Sequence, residues 1–267
     1  MTALASASSP LRRRRFATAL PLVALVALAG CAQQPKPSTD PTMTGSISQP
    51  ITQDDFEKAA AYWAQQHAAQ PKDTAIMLNY ASSLQRLGRG NEATGILAKA
   101  ALREPGNRDV LAAYGKALAS KGDLTTALDM IRRAQAAGAP DWKLLSAEAA
   151  ILDQLGQNDA ARVLYGNALK MKPDEPSVLS NYGMSYVLTG DLKQAESLLR
   201  KAIALPGADS RVRQNLALVV GLQGRFAEAE KIAGEELSPE QAQANIAYLK
   251  QMLGQQNSWQ QLQGQNG

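Results

Sequence analysis

The sequence predicts an all-α superhelical solenoid of about five helix-turn-helix repeats, closed at each end by a capping helix. Three observations predict it. Segments 74–107, 108–141, 142–175 and 176–209 align without a gap, each starting 34 residues after the last, and a fifth from Ser210 keeps the pattern through its first helix before degrading. Glycine recurs at one place in every unit, as Gly88, Gly122, Gly156, Gly190 and Gly224. Alanine follows five residues later, as Ala93, Ala127, Ala161, Ala195 and Ala229. A fixed period of this length marks stacked supersecondary units, each too small to bury its apolar face alone. Aromatic residues make up only 5 %, which favours helices packed through small side chains over a core of large rings.

In chain order, residues 1–30 read as an export signal. A basic stretch, Arg12 to Arg15, precedes an apolar run from Ala17 to Ala27, and Leu28-Ala29-Gly30-Cys31 supplies small residues where a peptidase must fit the backbone. The apolar run is too short for a transmembrane helix, which needs about 20 residues. Those four arginines also account for the basic pI of about 9.1. They are four of 28 basic residues, so the remaining 24 balance the 24 acidic ones, and a neutral mature chain gives no bulk charge for nucleic acid. Cys31 is the only cysteine, which excludes an intrachain disulfide and a cysteine-based metal cluster. Residues 31–51 contain Pro35, Pro37, Pro41 and Pro50 and almost no large apolar side chain. They are expected to be a flexible tether.

Residues 52–73 are expected to form an N-terminal capping helix equivalent to a lone second helix, because Ala59, Trp63 and Pro71 lie 34 residues before Ala93, Leu97 and Pro105. Thr52 or Asp54 can cap it. Within the repeats, 74–237, the glycines stop the first helix of each pair, where a left-handed residue is needed. The alanines let the second helix approach closely, against small partners Ala81, Gly115, Ala149, Gly183 and Ala217. Leu84, Leu118, Leu152 and Tyr186 occupy a further buried slot, and Pro105 and Pro173 end second helices. Ser238-Pro239-Glu240-Gln241 reads as cap, first-turn proline and capping-box glutamine of a closing helix over 238–254, with Ile246, Leu249 and Leu253 on one face. Residues 255–267, rich in Gln, Asn and Gly, are expected to be a disordered tail, with Trp259 able to fold back.

Nothing in the chain assembles a catalytic constellation, so no enzyme activity, cofactor, metal or small-molecule substrate is expected. His67 is the sole histidine and is expected to face solvent. The function is therefore expected in a concave groove lined by first helices. Its register predicts Leu78, Asn79, Ser82 and Arg86 in the first unit and Asp109, Ala112, Lys116 and Ser120 in the second. Lys143, Ser146, Ala150 and Asp153 follow in the third, Ser180, Asn181, Met184 and Leu188 in the fourth, and Arg211, Gln214, Asn215, Leu218 and Leu222 in the fifth. Asn79, Asn181 and Asn215 share one slot, where an amide can pair with an extended peptide backbone or can serve a local purpose. Met184, Leu188, Leu218 and Leu222 make the C-terminal end apolar, either as a peptide pocket or as packing for the closing helix.

These repeats resemble the tetratricopeptide-repeat (TPR) family, and Leu28-Ala29-Gly30-Cys31 resembles the lipobox of bacterial lipoproteins. The lipobox resemblance implies cleavage before Cys31 and its acylation, hence a lipid anchor. Ala32 at the next position favours the periplasmic face of the outer membrane. The arginine run is also similar to a twin-arginine signal, which leaves the export route open between that system and the general one. Residues 212–226 (VRQNLALVVGLQGRF) and 244–253 (ANIAYLKQML) are similar to the C-terminal region of the TadD lipoproteins of the tight-adherence (Tad/Flp) pilus system. That resemblance implies a pilus assembly scaffold, pilotin-like toward the secretin, with the secretin or other Tad components as partners. A general envelope scaffold, for outer-membrane protein insertion or peptidoglycan machinery, and a module that recruits a hydrolase remain the alternatives.

Overall fold

Four of the five repeats open where a short polar side chain holds the first turn of a helix, and the fourth opens on Pro176. The Asp73 carboxylate accepts from the Ile76 N–H, and Asn107, Asp123, Asp141, Asp191 and Asp209 cap five later helices in the same way. Such caps are each worth about 1 kcal/mol. The computed structural model describes the backbone of residues 53–265 and side chains as far as residue 255, so the export segment 1–30, Cys31, the tether 31–51 and Thr52 lie outside the described residues. The secondary structure of the described residues is all helix and connecting turns, with no strand among them.

The first helices are α2 (Thr74–Arg86), α4 (Arg108–Ser120), α6 (Trp142–Gln154), α8 (Pro176–Leu188) and α10 (Ser210–Leu222). Their starts repeat every 34 residues, matching the period in the sequence. The second helices are α3 (Gly90–Arg103), α5 (Leu124–Ala136), α7 (Asn158–Met171), α9 (Leu192–Ile203) and α11 (Phe226–Ala233). α1 (Gln53–Ala69) precedes them and α12 (Pro239–Gln265) follows. Asp54 lies inside the first turn of α1, paired with Lys58.

Between the helices of a pair the chain must reverse in three residues. Gly122 does this at φ +83°, and the Asp123 N–H reaches back to the Leu118 carbonyl at 3.1 Å, satisfying an end-of-helix acceptor. The same left-handed φ, between +73° and +83°, recurs at Gly88, Gly156, Gly190 and Gly224. A side chain there would be strained in every unit.

Close approach explains the small residues. Ala93, Ala127, Ala161, Ala195 and Ala229 are fully buried. A Cβ at Gly115 would lie 2.9 Å from Ile131 Cγ1, and one at Gly183 would lie 3.1 Å from the Ala195 carbonyl. Around these contacts the buried clusters are mostly aliphatic and run along the solenoid, for example Leu179, Leu199, Val212, Leu216 and Val219. Tyr186 departs from its slot. It is half-buried, stacked on Tyr182 at 5.3 Å, and covered by the Arg162 guanidinium at 4.2 Å.

At the C-terminal end one feature follows the expectation and one departs from it. The fifth unit's second helix, α11, has only 8 residues, ending before Gly234. α12 does not fray near Leu253 but continues to Gln265, so the expected disordered tail over 255–267 is helical as far as the backbone is described. Glutamine is a good helix former and no proline follows Pro239, so nothing stops the helix there. Its start is closed by a reciprocal capping box: the Gln241 N–H donates to Ser238 Oγ, and the Ser238 N–H to Gln241 Oε1.

α12 seats on the last pair through Ala242, Ile246 and Leu249, with Leu249 against Gly221. A Cβ at Gly221 would come 2.5 Å from Leu249 Cδ2. Gly221→Val is therefore expected to displace α12 at a cost of about 1–3 kcal/mol. Limited proteolysis should then cut between residues 234 and 253 sooner than in the parent chain; an unchanged digest would remove this contact from the account of how the solenoid closes.

Candidate protein-binding groove

Consecutive first helices touch along the whole array: α2 with α4, α4 with α6, α6 with α8, and α8 with α10. No second helix touches the next second helix among the described residues. A row of elements that meet on one side and splay on the other is bent, so the first helices line the concave face. Between α2 and α4 that face is hollowed into a depression of about 290 Å³, bordered by Leu78, Ser82, Gln85, Asp109, Ala112 and Lys116. The 34-residue repeat carries the same positions forward. The place of Ser82 and Lys116 is taken by Ala150, Met184 and Leu218, and that of Arg86 and Ser120 by Gln154, Leu188 and Leu222.

Asp153, Ser146 and Ser180 do not open onto the groove as expected. Asp153 is one residue out of this register; Gln154 holds the slot and is exposed. Asp153 itself is buried, accepting from Ser185 Oγ at 2.7 Å and Asn158 Nδ2 at 2.8 Å, with the Tyr165 hydroxyl as a third partner. Burial raises its carboxyl above the usual range despite those hydrogen bonds, and burial likewise pushes the Tyr165 hydroxyl up. Ser146 and Ser180 are covered by the neighbouring helices. Asn181 Nδ2 lies 3.4 Å from Ser146 Oγ, and Asn215 Nδ2 lies 3.0 Å from Ser180 Oγ. The shared asparagine slot thus stitches each first helix to the one before it in the C-terminal half. Asn79 is exposed.

His67 does not face solvent. Its ring is half-buried, tilted against Tyr80 with centroids 5.6 Å apart, and its Nδ1 is buried without a hydrogen-bond partner. Sequence reasoning does not single out Glu148, which is buried where the units on either side place Tyr114 and Tyr182. Arg132 Nε donates to it at 2.7 Å and Gln135 also donates, tying α5 to α6. An acid in a slot that holds tyrosine in both adjacent units is the signal that could have found it. On the other side, burial alone would raise the Glu196 carboxyl, but hydrogen bonds from Gln223, Arg200 and Arg225 outweigh it and hold it below the ordinary value. That network fastens α9 to the start of α11.

The charge of the concave face is uneven. Arg86, Lys116 and Lys143 are exposed in its N-terminal half, with Asp109 the acid among them. Lys143 Nζ lies over the Trp142 ring at 5.5 Å and the Arg86 guanidinium over Phe56 at 5.6 Å. α8 contains no charged residue. α10 has only Arg211 and Arg213, and Arg213 is engaged by Glu235 and Glu236. Met184 packs partly into the core, whereas Leu188, Leu218 and Leu222 fall outside the buried clusters among the described residues. Leu188 is exposed and Leu218 and Leu222 are half-buried; α12 meets α10 on the other side, at Ala217 and Gly221. The described residues hold no group of three His, Cys, Asp or Glu able to bind a metal, and no described helix is long and apolar enough to cross a membrane.

A profile described as tetratricopeptide repeat matches residues 154–219. No curated protein matches the chain in sequence. Solved structures do match in fold. A tetratricopeptide-repeat protein from Parabacteroides merdae is similar at 13 % identity and a TM-score of 0.65, over 74 % of this chain and 78 % of that one. A thermophilic TPR protein of Thermus thermophilus is similar at 21 % identity and 0.56, over 62 % and 91 %. PilW, described as a widely conserved type IV pilus biogenesis factor, is similar at 18 % identity and 0.57, over 75 % and 91 %. The fold is thus an all-α TPR solenoid.

Proposed function

We propose that this solenoid is an outer-membrane-anchored periplasmic scaffold for assembly of a Tad/Flp (type IVb) pilus, pilotin-like toward the secretin. The observation that carries the scaffold reading is the continuous concave face of five first helices, which offers a partner segment a surface along its length. The choice of machine rests on the TadD-like stretches 212–226 and 244–253. The likeness to PilW, at 18 % identity, speaks to the fold alone. Affinity purification from solubilised envelopes is expected to recover the pilus secretin with the chain. Recovery of outer-membrane insertion or peptidoglycan machinery instead would replace the pilus reading with that of a general envelope scaffold.

The anchor rests on Cys31 after Leu28-Ala29-Gly30. Lipid chains contribute about 0.8 kcal/mol per buried methylene, and stable anchoring takes more than one chain. Cys31→Ser, which removes the thiol to be acylated, is expected to move the protein from the membrane fraction to the soluble periplasm. Membrane retention equal to the parent's would refute lipid anchoring at this residue.

A further inference from the structure

The concave face has two unlike ends. Over α8 and α10, half-buried Met184, Leu218 and Leu222 and the 50 % exposed Leu188 form a four-cornered aliphatic patch. Residues four apart on one helix stand about 6 Å from each other, and neighbouring helices are about 8–10 Å apart. The patch is therefore wide enough for two or three aliphatic side chains. Over α4 and α6, Lys116 and Lys143 are exposed on the same face and have no ion-pair partner among the described residues. The amides of Asn181 and Asn215, on α8 and α10 at the aliphatic end, are engaged by serines of the preceding first helix. They are poor anchors for a peptide backbone, so side chains must give the discrimination.

We infer that the groove takes a partner segment of opposite polarity: aliphatic residues at one end, seated on α8 and α10, and acidic residues at the other, over Lys116 and Lys143. This rests on the groove reading above and names the chemistry of its occupant. Three helix spacings separate α4 from α10, about 27 Å, so an extended segment of about eight residues spans both ends.

The test is fluorescence anisotropy of the purified full chain with labelled ten-residue peptides carrying three leucines at one end and three glutamates at the other, in both chain directions. One direction should bind, and replacing its glutamates by lysines should weaken it about tenfold or more. Lys116→Glu with Lys143→Glu, both exposed changes, should reverse that preference. Leu218→Asp should lose about tenfold for every peptide, and Leu188→Asp, at a more exposed site, guards against misfolding as the cause. Equal binding of the glutamate and lysine peptides, or indifference to both leucine changes, overturns the inference. So does dimeric sedimentation of the chain that Leu218→Asp abolishes, which would give the patch to a second copy. Crosslinking in cells from Lys116 and Met184 separates the two levels: a captured protein with no peptide preference sinks only the polarity, whereas no capture and no peptide binding sinks the groove reading too.

Discussion

Ala195→Trp is expected to lower the melting temperature by roughly 2–12 °C or to prevent folding of the C-terminal half, since overpacking costs about 1–3 kcal/mol and occasionally more, and each kcal/mol shifts the midpoint by about 2–4 °C in a domain of this size. Ala195 is fully buried at the start of α9. Its carbonyl lies 3.1 Å from where a Cβ on Gly183 would be, so backbone meets backbone at this crossing. An indole there cannot be absorbed by moving the end of a flexible side chain; α8 and α9 must part. Because each unit contacts only its neighbours, parting one pair also weakens its docking on α7 and α10. Val163→Trp is the control: Val163 is 63 % exposed on α7 and should tolerate the same ring. Equal melting curves for the two variants would mean that the alanine register does not mark the helix crossing.

That register is legible in the sequence because backbone geometry, not side-chain chemistry, dictates it. A left-handed residue after each first helix admits almost only glycine, and a backbone crossing admits only glycine or alanine, so the two recur at constant spacing. Helix starts at Thr74, Arg108, Trp142, Pro176 and Ser210 follow from the same arithmetic. What is illegible lies where one unit departs from the others. A charged residue near an exposed slot is usually solvated, so spacing alone assigns Asp153 to the groove. Its burial depends on Asn158 and Tyr165 of α7 and Ser185 of α8, which show no periodicity with it. Ser146 and Asn181 likewise pair 35 residues apart, one more than the repeat, so neither aligns with the other. The extent of α12 escapes the sequence for a different reason. Glutamine-rich composition suits a tail and a helix equally, and only the absence of a stop decides between them.

The buried Asp153 predicts a pH dependence with a definite sign. Its folded-state carboxyl is raised, chiefly by burial, with opposing hydrogen bonds from Asn158, Ser185 and Tyr165 and the Arg162 charge failing to restore it. The folded chain therefore binds the proton more tightly than the unfolded chain, where an aspartate titrates near about 3.9. Stability from this residue is complete below that value and declines as pH rises toward the raised folded value, beyond which it is level. Asp153→Asn keeps the shape and cannot ionise. Its stability relative to the parent should improve as pH rises from about 4 and then plateau, read from urea melts across that range. A difference independent of pH would mean that Asp153 stays ionised throughout. Asp153→Ala separates charge from hydrogen bonding, since it leaves the Ser185 and Tyr165 hydroxyls and the Asn158 amide without their shared acceptor. A loss on the order of 3 kcal/mol is expected where the carboxyl is protonated; it shrinks with rising pH in parallel with asparagine's and stays larger than asparagine's throughout. If alanine were tolerated as well as asparagine, the polar cluster would be a passive filling between α6, α7 and α8, and the junction of the third and fourth units would owe its strength to the surrounding apolar contacts of Leu152, Ala168 and Val178.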